Sequence, residues 1–395
     1  HRMYLPLVPA IASLVLATHT LWMKLQAKHL ALGIMTRSLI LTGVAGIFTS
    51  LGILTYLRNE DYRDPMDLWR SVTEAVPDNP RGHNNYGFNL AEAGYLKDAI
   101  TQHARAVALA PRMALFQSNY GLILAKNGRF PEALEHLRIA VQLEPTDSKF
   151  ISNLGFVLFL KGSLDNAETC FNTARQLNPM DEISYAGLAS VMEAKHEGLK
   201  ARGLIQQCIA LNPYNPAFRV QQAFILLDLG DVHGARTAFL AALRLESSAE
   251  KISNLGWSMH DCSLDHEALA AERQALAMKP GDTKTMIRLA WILAASSDAS
   301  VRNGPEAVRL AEQVLQSQPI RSPQFLDLLA VSLAEAGRFQ EARATLQEAL
   351  DQAKARQESW LPKLETQLSL FERNEPFHET AKSPLGSRPA KAGMQ

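Results

Sequence analysis

The chain has 395 residues, and its 40 basic and 40 acidic side chains leave no formal net charge. That balance excludes the basic excess a nucleic-acid footprint requires. Apolar residues make up 47% of the sequence, enough for an extensive core, and the three cysteines, Cys170, Cys208 and Cys262, match no disulfide framework.

Residues 3–23 and 38–57 each run without a charged side chain. About 20 apolar residues cross roughly 30 Å of hydrocarbon, so both are predicted as transmembrane helices within a membrane region over 1–58. A secretory signal does not account for a pair of such segments with no small-residue cleavage site after either. Pro6, Pro9 and His19 make the outer end of the first span irregular. Lys24, Lys28, His29 and Arg37 lie between the spans, while Arg58 and Arg63 follow the second among Glu60, Asp61 and Asp64. Basic residues favour the cytoplasmic side, which places the short loop there and the remainder of the chain outside. The first residue is His1 inside a recognisable motif, so the expectation is a piece of a longer protein.

Residues 59–79 read as a juxtamembrane half-repeat, a single helix with Trp69 and Pro77 at the register positions of a second helix. From Pro77 a proline returns every 34 residues, at Pro111, Pro145, Pro179 and Pro213. Gly87, Gly121 and Gly155 keep the same period, as do Ala99, Ala133, Ala167, Ala201 and Ala235. Small side chains at positions 8 and 20 let two helices cross closely, and the proline at position 32 ends the second helix of each pair. Gly94, Gly128, Gly162 and Gly230, at position 15, supply the left-handed turn between the two helices. A 34-residue unit of two helices is the signature of tetratricopeptide repeats. The fold class is therefore all-α, a right-handed superhelix of about eight repeats over 80–373. Repeats start near Pro80, Ala114, Thr146 or Asp147, Glu182, Pro216, Ala249, Thr283 and Pro323. The fifth has Ser247 where proline is due, and the seventh lengthens its internal turn by about five residues before Ala307 resumes the pattern. Cys208 reads as a packing residue. A capping helix over about 354–373 and a disordered tail over 374–395 close the chain.

Two stretches carry a resemblance. HRMYLPL at the start, followed after the second apolar segment by TYLRNEDYRDPMDLWRSVTEAVPDNPRGHNNYG, resembles the membrane-to-repeat junction of the transmembrane-and-TPR family of protein O-mannosyltransferases and their bacterial relatives. WILAASSDASVRNG and FERNEPFHE look like the same relatives. The resemblance implies the non-catalytic C-terminal arm of a multi-spanning transferase that uses a lipid-linked sugar, with its repeats outside the cytoplasm. The family's catalytic acidic residues lie upstream of this motif, so none is carried over, and no cofactor is implied. The alternative is a membrane-tethered scaffold for an envelope complex, with no transferase attached.

In this kind of repeat the first helices line a concave groove, with positions 2, 5, 6, 9, 12 and 13 facing it. Position 6 holds Asn85, Asn119, Asn153 and Asn254. A carboxamide donates and accepts, so such a row can grip a peptide backbone, or equally bond the neighbouring helix. It resembles the asparagine row of the nucleocytoplasmic O-linked N-acetylglucosaminyltransferase. Position 9 gives Phe88, Phe156, Phe224, Trp257 and Trp291, anchors for a partner or packing between helices. Packing suits Phe88 and Phe156; a binding role suits Trp257 and Trp291. Lys284 and Arg288, with Asn254, match three of the five positions of the two-carboxylate clamp of chaperone-binding repeats, while Val220 and Phe224 break it. His260, Asp261, Cys262, Asp265 and His266 are residue types that suit zinc, but their spacing fits no compact metal motif, and no metal ligand is assigned. The expected partners are an extended polypeptide or partner protein in the groove and membrane lipid around the two N-terminal helices, with no nucleic acid.

Overall fold

The structure is a computed structural model that describes residues 64–318 and 321–380, together with Thr20 and short stretches within 42–53. The two expected membrane spans fall almost wholly outside the described residues, as does the tail beyond 380. Among the described residues no helix is long and apolar enough to cross a membrane. There are eighteen helices from residue 65 onward and no strand among the described residues. They divide into two units, residues 1–110 and 111–395.

In the first unit, α1 (Pro65–Ala75) is followed by one full helix pair, α2 (Pro80–Glu92) and α3 (Leu96–Leu109). Asp64 caps α1 by accepting the Met66 N–H at 2.8 Å, and Asn79 caps α2 by accepting from Arg81 and Gly82. Each cap precedes a proline at the first helical position, where a missing N–H costs nothing. Of the segment expected as a half-repeat over 59–79, residues 65–75 form α1, which packs against α2, and residues 59–63 lie outside the described residues. Gly87 faces the imidazole of His103, where a Cβ would lie 2.9 Å from the ring. His103 is buried, and burial pushes its pKa down to about 4.

The second unit begins with α4 (Ala114–Lys126) and α5 (Phe130–Leu143), α6 (Ser148–Leu160) and α7 (Leu164–Leu177), and α8 (Glu182–Ala194) and α9 (Gly198–Leu211). It continues with α10 (Pro216–Asp228) and α11 (Val232–Leu245), α12 (Ala249–Asp261) and α13 (Asp265–Met278), and α14 (Thr283–Ala295) and α15 (Gly304–Ser317). The last pair is α16 (Pro323–Glu335) and α17 (Phe339–Arg356), followed by α18 (Leu361–Glu372). Each pair packs on the next, so the core is a continuous seam of alanines and large apolar residues. The small-residue rule holds at the position-8 crossings: a Cβ on Gly121 would come within 2.7 Å of the Leu137 side chain.

Four details differ from the sequence expectation. The third repeat starts at Ser148, with Asp147 as its cap. The capping helix does not begin at 354; α17 runs on to Arg356, Gln357 ends it at φ 54°, and α18 starts at Leu361. In the fourth and sixth repeats the left-handed turn is made by His196 (φ 60°) and Ser263 (φ 59°) instead of glycine. The tail is not disordered from residue 374: it folds back, and the Glu379 N–H donates to Ala295 O at 2.8 Å. The lengthened turn of the seventh repeat is present as residues 296–303. Arg302 holds it, donating to Ser296 O at 2.9 Å and to Glu335 at 3.1 Å.

Candidate peptide-binding surface

In the third, fifth and seventh repeats the side chain at position 6 reaches back to the preceding first helix. In the third repeat Asn153 Nδ2 donates to Ser118 Oγ at 2.9 Å. In the fifth, Gln221 is buried and donates to Ala186 O at 3.0 Å and Ser190 Oγ at 2.8 Å. In the seventh, Arg288 Nη1 donates to Ser253 Oγ at 3.0 Å. These contacts reach 35 or, for Ser190, 31 residues back along the chain, so position 6 is a ladder between adjacent first helices. For Asn153 the neighbouring-helix role is the one observed. Asn119 is half-buried. Asn85 belongs to the first unit, where its carboxamide oxygen accepts from Asn84.

The arrangement changes between α12 and α14. Asn254 is exposed, and its Oδ1 accepts from Lys284 Nζ at 3.2 Å and Arg288 Nη1 at 3.0 Å. The Arg288 guanidinium also lies 5.6 Å from the centre of the Trp257 ring. Among the described residues, neither Lys284 nor Arg288 is ion-paired with a carboxylate. Beneath them Ser253 Oγ donates to Glu272 at 2.6 Å. Glu272 is fully buried, and burial pushes its carboxyl up to about 7 against the pull of the nearby cations. The residues singled out in the sixth and seventh repeats, Asn254, Trp257, Lys284 and Arg288, are thus brought together on one surface.

Trp291 lies one turn further along α14 and is already engaged. Its indole N–H donates to Glu379 Oε1 at 2.9 Å, and its ring packs on Phe377, 6.2 Å between centres. Lys363 Nζ sits 4.3 Å from the Trp291 ring centre and also donates to Asp327 at 3.1 Å. His260 is buried, with Nδ1 2.6 Å from Asp265 Oδ1 and Nε2 3.2 Å from Glu379 Oε2. Ser296 donates to the other Asp265 oxygen at 2.5 Å. Burial alone would lower the imidazole pKa, but Asp265 and Glu379 outweigh it and lift it to about 9. His260 is therefore a buried cation between two carboxylates at neutral pH.

The remaining predicted anchors separate. Phe88, in the first unit, is 57% exposed and does not pack as expected; Phe156 is half-buried. Phe224 is not a surface residue: it is buried and stands edge-on to Phe239 at 5.5 Å. Cys208 is buried, with its thiol 3.1 Å from Glu182 O. His266 turns away from His260, towards Asp298 and Ser300. Among the described residues no group of three His, Cys, Asp or Glu side chains could hold a metal ion. Sequence reasoning missed Glu379 and the role of His260; the aromatic Phe377 within an otherwise polar tail was the available signal.

A model of the tetratricopeptide repeat matches residues 89–148 and 292–357. The stacked helix pairs and this match define a tetratricopeptide-repeat solenoid, a scaffold class that offers extended surfaces to protein partners. In fold the chain is similar to PilF of Pseudomonas aeruginosa, with 16% identity, 52% of this chain and 94% of that one covered, and a TM-score of 0.38. It is similar to yeast Tom70, with 18% identity, 78% and 57% covered, and a TM-score of 0.43. It is also similar to YrrB, described as a TPR protein with an unusual peptide-binding site, with 14% identity, 45% and 92% covered, and a TM-score of 0.32. No curated protein matches the chain by sequence.

Proposed function

We propose that the first-helix surface of the sixth to eighth repeats binds an extended polypeptide. The observation that carries this reading is the convergence of Lys284 and Arg288 on Asn254 beside Trp257, with neither cation ion-paired to a carboxylate among the described residues. Two cations and a carboxamide next to an indole suit backbone carbonyls or acidic side chains flanked by apolar ones. The test is binding of an unfolded, acidic secreted polypeptide to the full chain and to Lys284→Ala/Arg288→Ala. A charge-assisted hydrogen bond contributes about 1.5–3 kcal/mol, so the double change should weaken binding by more than tenfold and flatten its salt dependence, while stability falls only by the one ladder bond from Arg288 to Ser253, about 1 kcal/mol. Unaltered binding would remove this cluster from the site.

We further propose that this surface serves a membrane protein, as the extracytoplasmic arm of a glycosyltransferase that uses a lipid-linked sugar. The uncharged segments 3–23 and 38–57, the basic loop between them and the resemblance of the membrane-to-repeat junction support the reading. A cysteine placed at Ala27 should be shielded from impermeant maleimide in intact cells, and one at Ala390 should react. The opposite labelling pattern rejects the extracytoplasmic arm. Correct topology, without sugar transfer from a lipid-linked donor by the protein purified from its native membrane, leaves the tethered scaffold as the function.

A further inference from the structure

We infer that residues 375–380 are an intramolecular ligand, and that the site they fill accepts from a partner an extended segment with an aromatic side chain followed two residues later by a carboxylate. The inference rests on the proposed role of this surface in polypeptide binding. Three of the segment's side chains make separate contacts. Phe377 lies on Trp291 under the ammonium of Lys363, which is 5.9 Å from the Phe377 ring centre. His378 Nε2 is 2.7 Å from Glu335 Oε2. Glu379 sets one carboxylate oxygen on the Trp291 N–H and the other near His260 Nε2, at 2.9 and 3.2 Å. The Glu379 amide adds a backbone bond to Ala295 O, the group a bound peptide of any sequence would use.

The receptor side of these contacts belongs to the array. Asp265, itself held by Ser296, fixes the His260 ring through Nδ1, which leaves Nε2 on the side where Glu379 lies. The Trp291 N–H converges on the same point. One N–H donor on α14 and the edge of an imidazole on α12 thus stand against the two oxygens of a single carboxylate, Trp291 by a hydrogen bond and His260 by charge proximity, with an aromatic shelf beside them. The segment is neither helix nor strand, and the end of the array is already covered by α18. Its place on the surface is therefore that of an occupant. A tethered occupant acts at an effective concentration near millimolar, so it holds the site against weak competitors and yields to a partner that also engages Trp257, Lys284 and Arg288.

The probe is a fluorescein-labelled peptide, Glu-Pro-Phe-His-Glu-Thr, titrated onto the full chain and onto the full-length variant Phe377→Ser/Glu379→Gln, whose own segment no longer competes. Fluorescence anisotropy should show binding to the variant at least tenfold tighter than to the wild type. Replacing the second glutamate of the probe by glutamine should abolish most of that gain, and Trp291→Phe in the variant background should do the same. A variant that melts like the wild type yet does not bind the probe overturns the proposal. So does equal binding to both proteins, or a variant that fails to fold, since the segment would then be part of the array's structure. The acidic polypeptide without an aromatic–x–carboxylate run, titrated onto the wild type, reports the broader reading separately through Lys284 and Arg288.

Discussion

In the third and fifth repeats the polar side chain at position 6 is absorbed by the helix behind it: Asn153 by Ser118, and Gln221 by Ala186 and Ser190. In the seventh repeat Arg288 reaches back to Ser253 in the same way, yet it also meets Asn254, remains half-exposed and faces Trp257. Register fixes the direction in all three. Side-chain capacity decides what is left over. A carboxamide has two N–H donors and here points them into the stack, whereas a guanidinium has five in a planar fork and keeps some for solvent or a ligand. The later repeats differ because one residue of the ladder is too well supplied with donors to be consumed by it, which is what the proposed binding surface rests on.

The largest effect that separates the two regions should come from His260→Ala. Removing the imidazole leaves Asp265 buried without its cation, and breaking a buried pair costs about 3–5 kcal/mol. Chemical denaturation should show that loss, with an early transition confined to the later repeats if the earlier ones are independent of this cluster.

Alkaline pH probes the same group without mutation. Its folded pKa of about 9 is above the ordinary value of 6.5, so protonated His260 favours the folded state. The full contribution is present below pH 6.5 and disappears as the pH rises towards and through 9. The loss is roughly 3 kcal/mol, since each tenfold change in proton affinity is worth about 1.4 kcal/mol. Glu272 acts in the same sense at lower pH: its carboxyl is raised from 4.5 to about 7, so stability falls as the pH climbs through that window. Denaturation midpoints between pH 6 and 10 should fall for the wild type and fall less for His260→Gln.

A smaller difference tests the ladder itself. Asn153→Ala should lower stability by about 1 kcal/mol, the net worth of one neutral hydrogen bond, and leave polypeptide binding unchanged. Lys284→Met, which removes no ladder bond, should give the opposite pattern, weaker binding from a melting temperature close to that of the wild type. If Asn153→Ala also impairs binding, the separation of a consumed ladder from an open site fails.

The smallest effect lies in the turns. Ser263 and His196 adopt positive φ where the first, second, third, fifth and eighth repeats use glycine. Left-handed conformation costs a side chain about 1–2 kcal/mol, partly offset by the extra chain entropy of glycine, so Ser263→Gly should stabilise by about 0.5 kcal/mol in thermal unfolding.

Most of the helical scaffold could be read from the 34-residue period, because each periodic residue has a local reason: a turn, a crossing or a helix end. Seven of the eight repeat starts fall where the register puts them, and Ser148 is within two residues. The cluster of Asn254, Trp257, Lys284 and Arg288 was also legible, since positions 2, 6 and 9 of adjacent repeats are neighbours by construction. What the period could not supply is contact between residues that do not share it. Phe224 sits at the same position as Trp257 but is turned inward against Phe239, a consequence of local packing. Glu379 lies 119 residues from His260, outside the repeats, and its composition reads as disordered tail.

That return contact changes how the end of the molecule comes apart. In an array where every unit touches only its neighbours, stability is a sum of local terms and the terminal unit can fray alone. Here the chain after α18 is tied to α12, α14 and α16 at once, through His260, Ala295, Trp291 and Glu335. Opening the last helix pair while the segment stays bound requires a loop to be stretched or the segment to be given up. If that tie couples the last three repeats into one cooperative block, hydrogen exchange across α12 to α18 should report a shared opening event in place of a gradient that rises from the C-terminus inward.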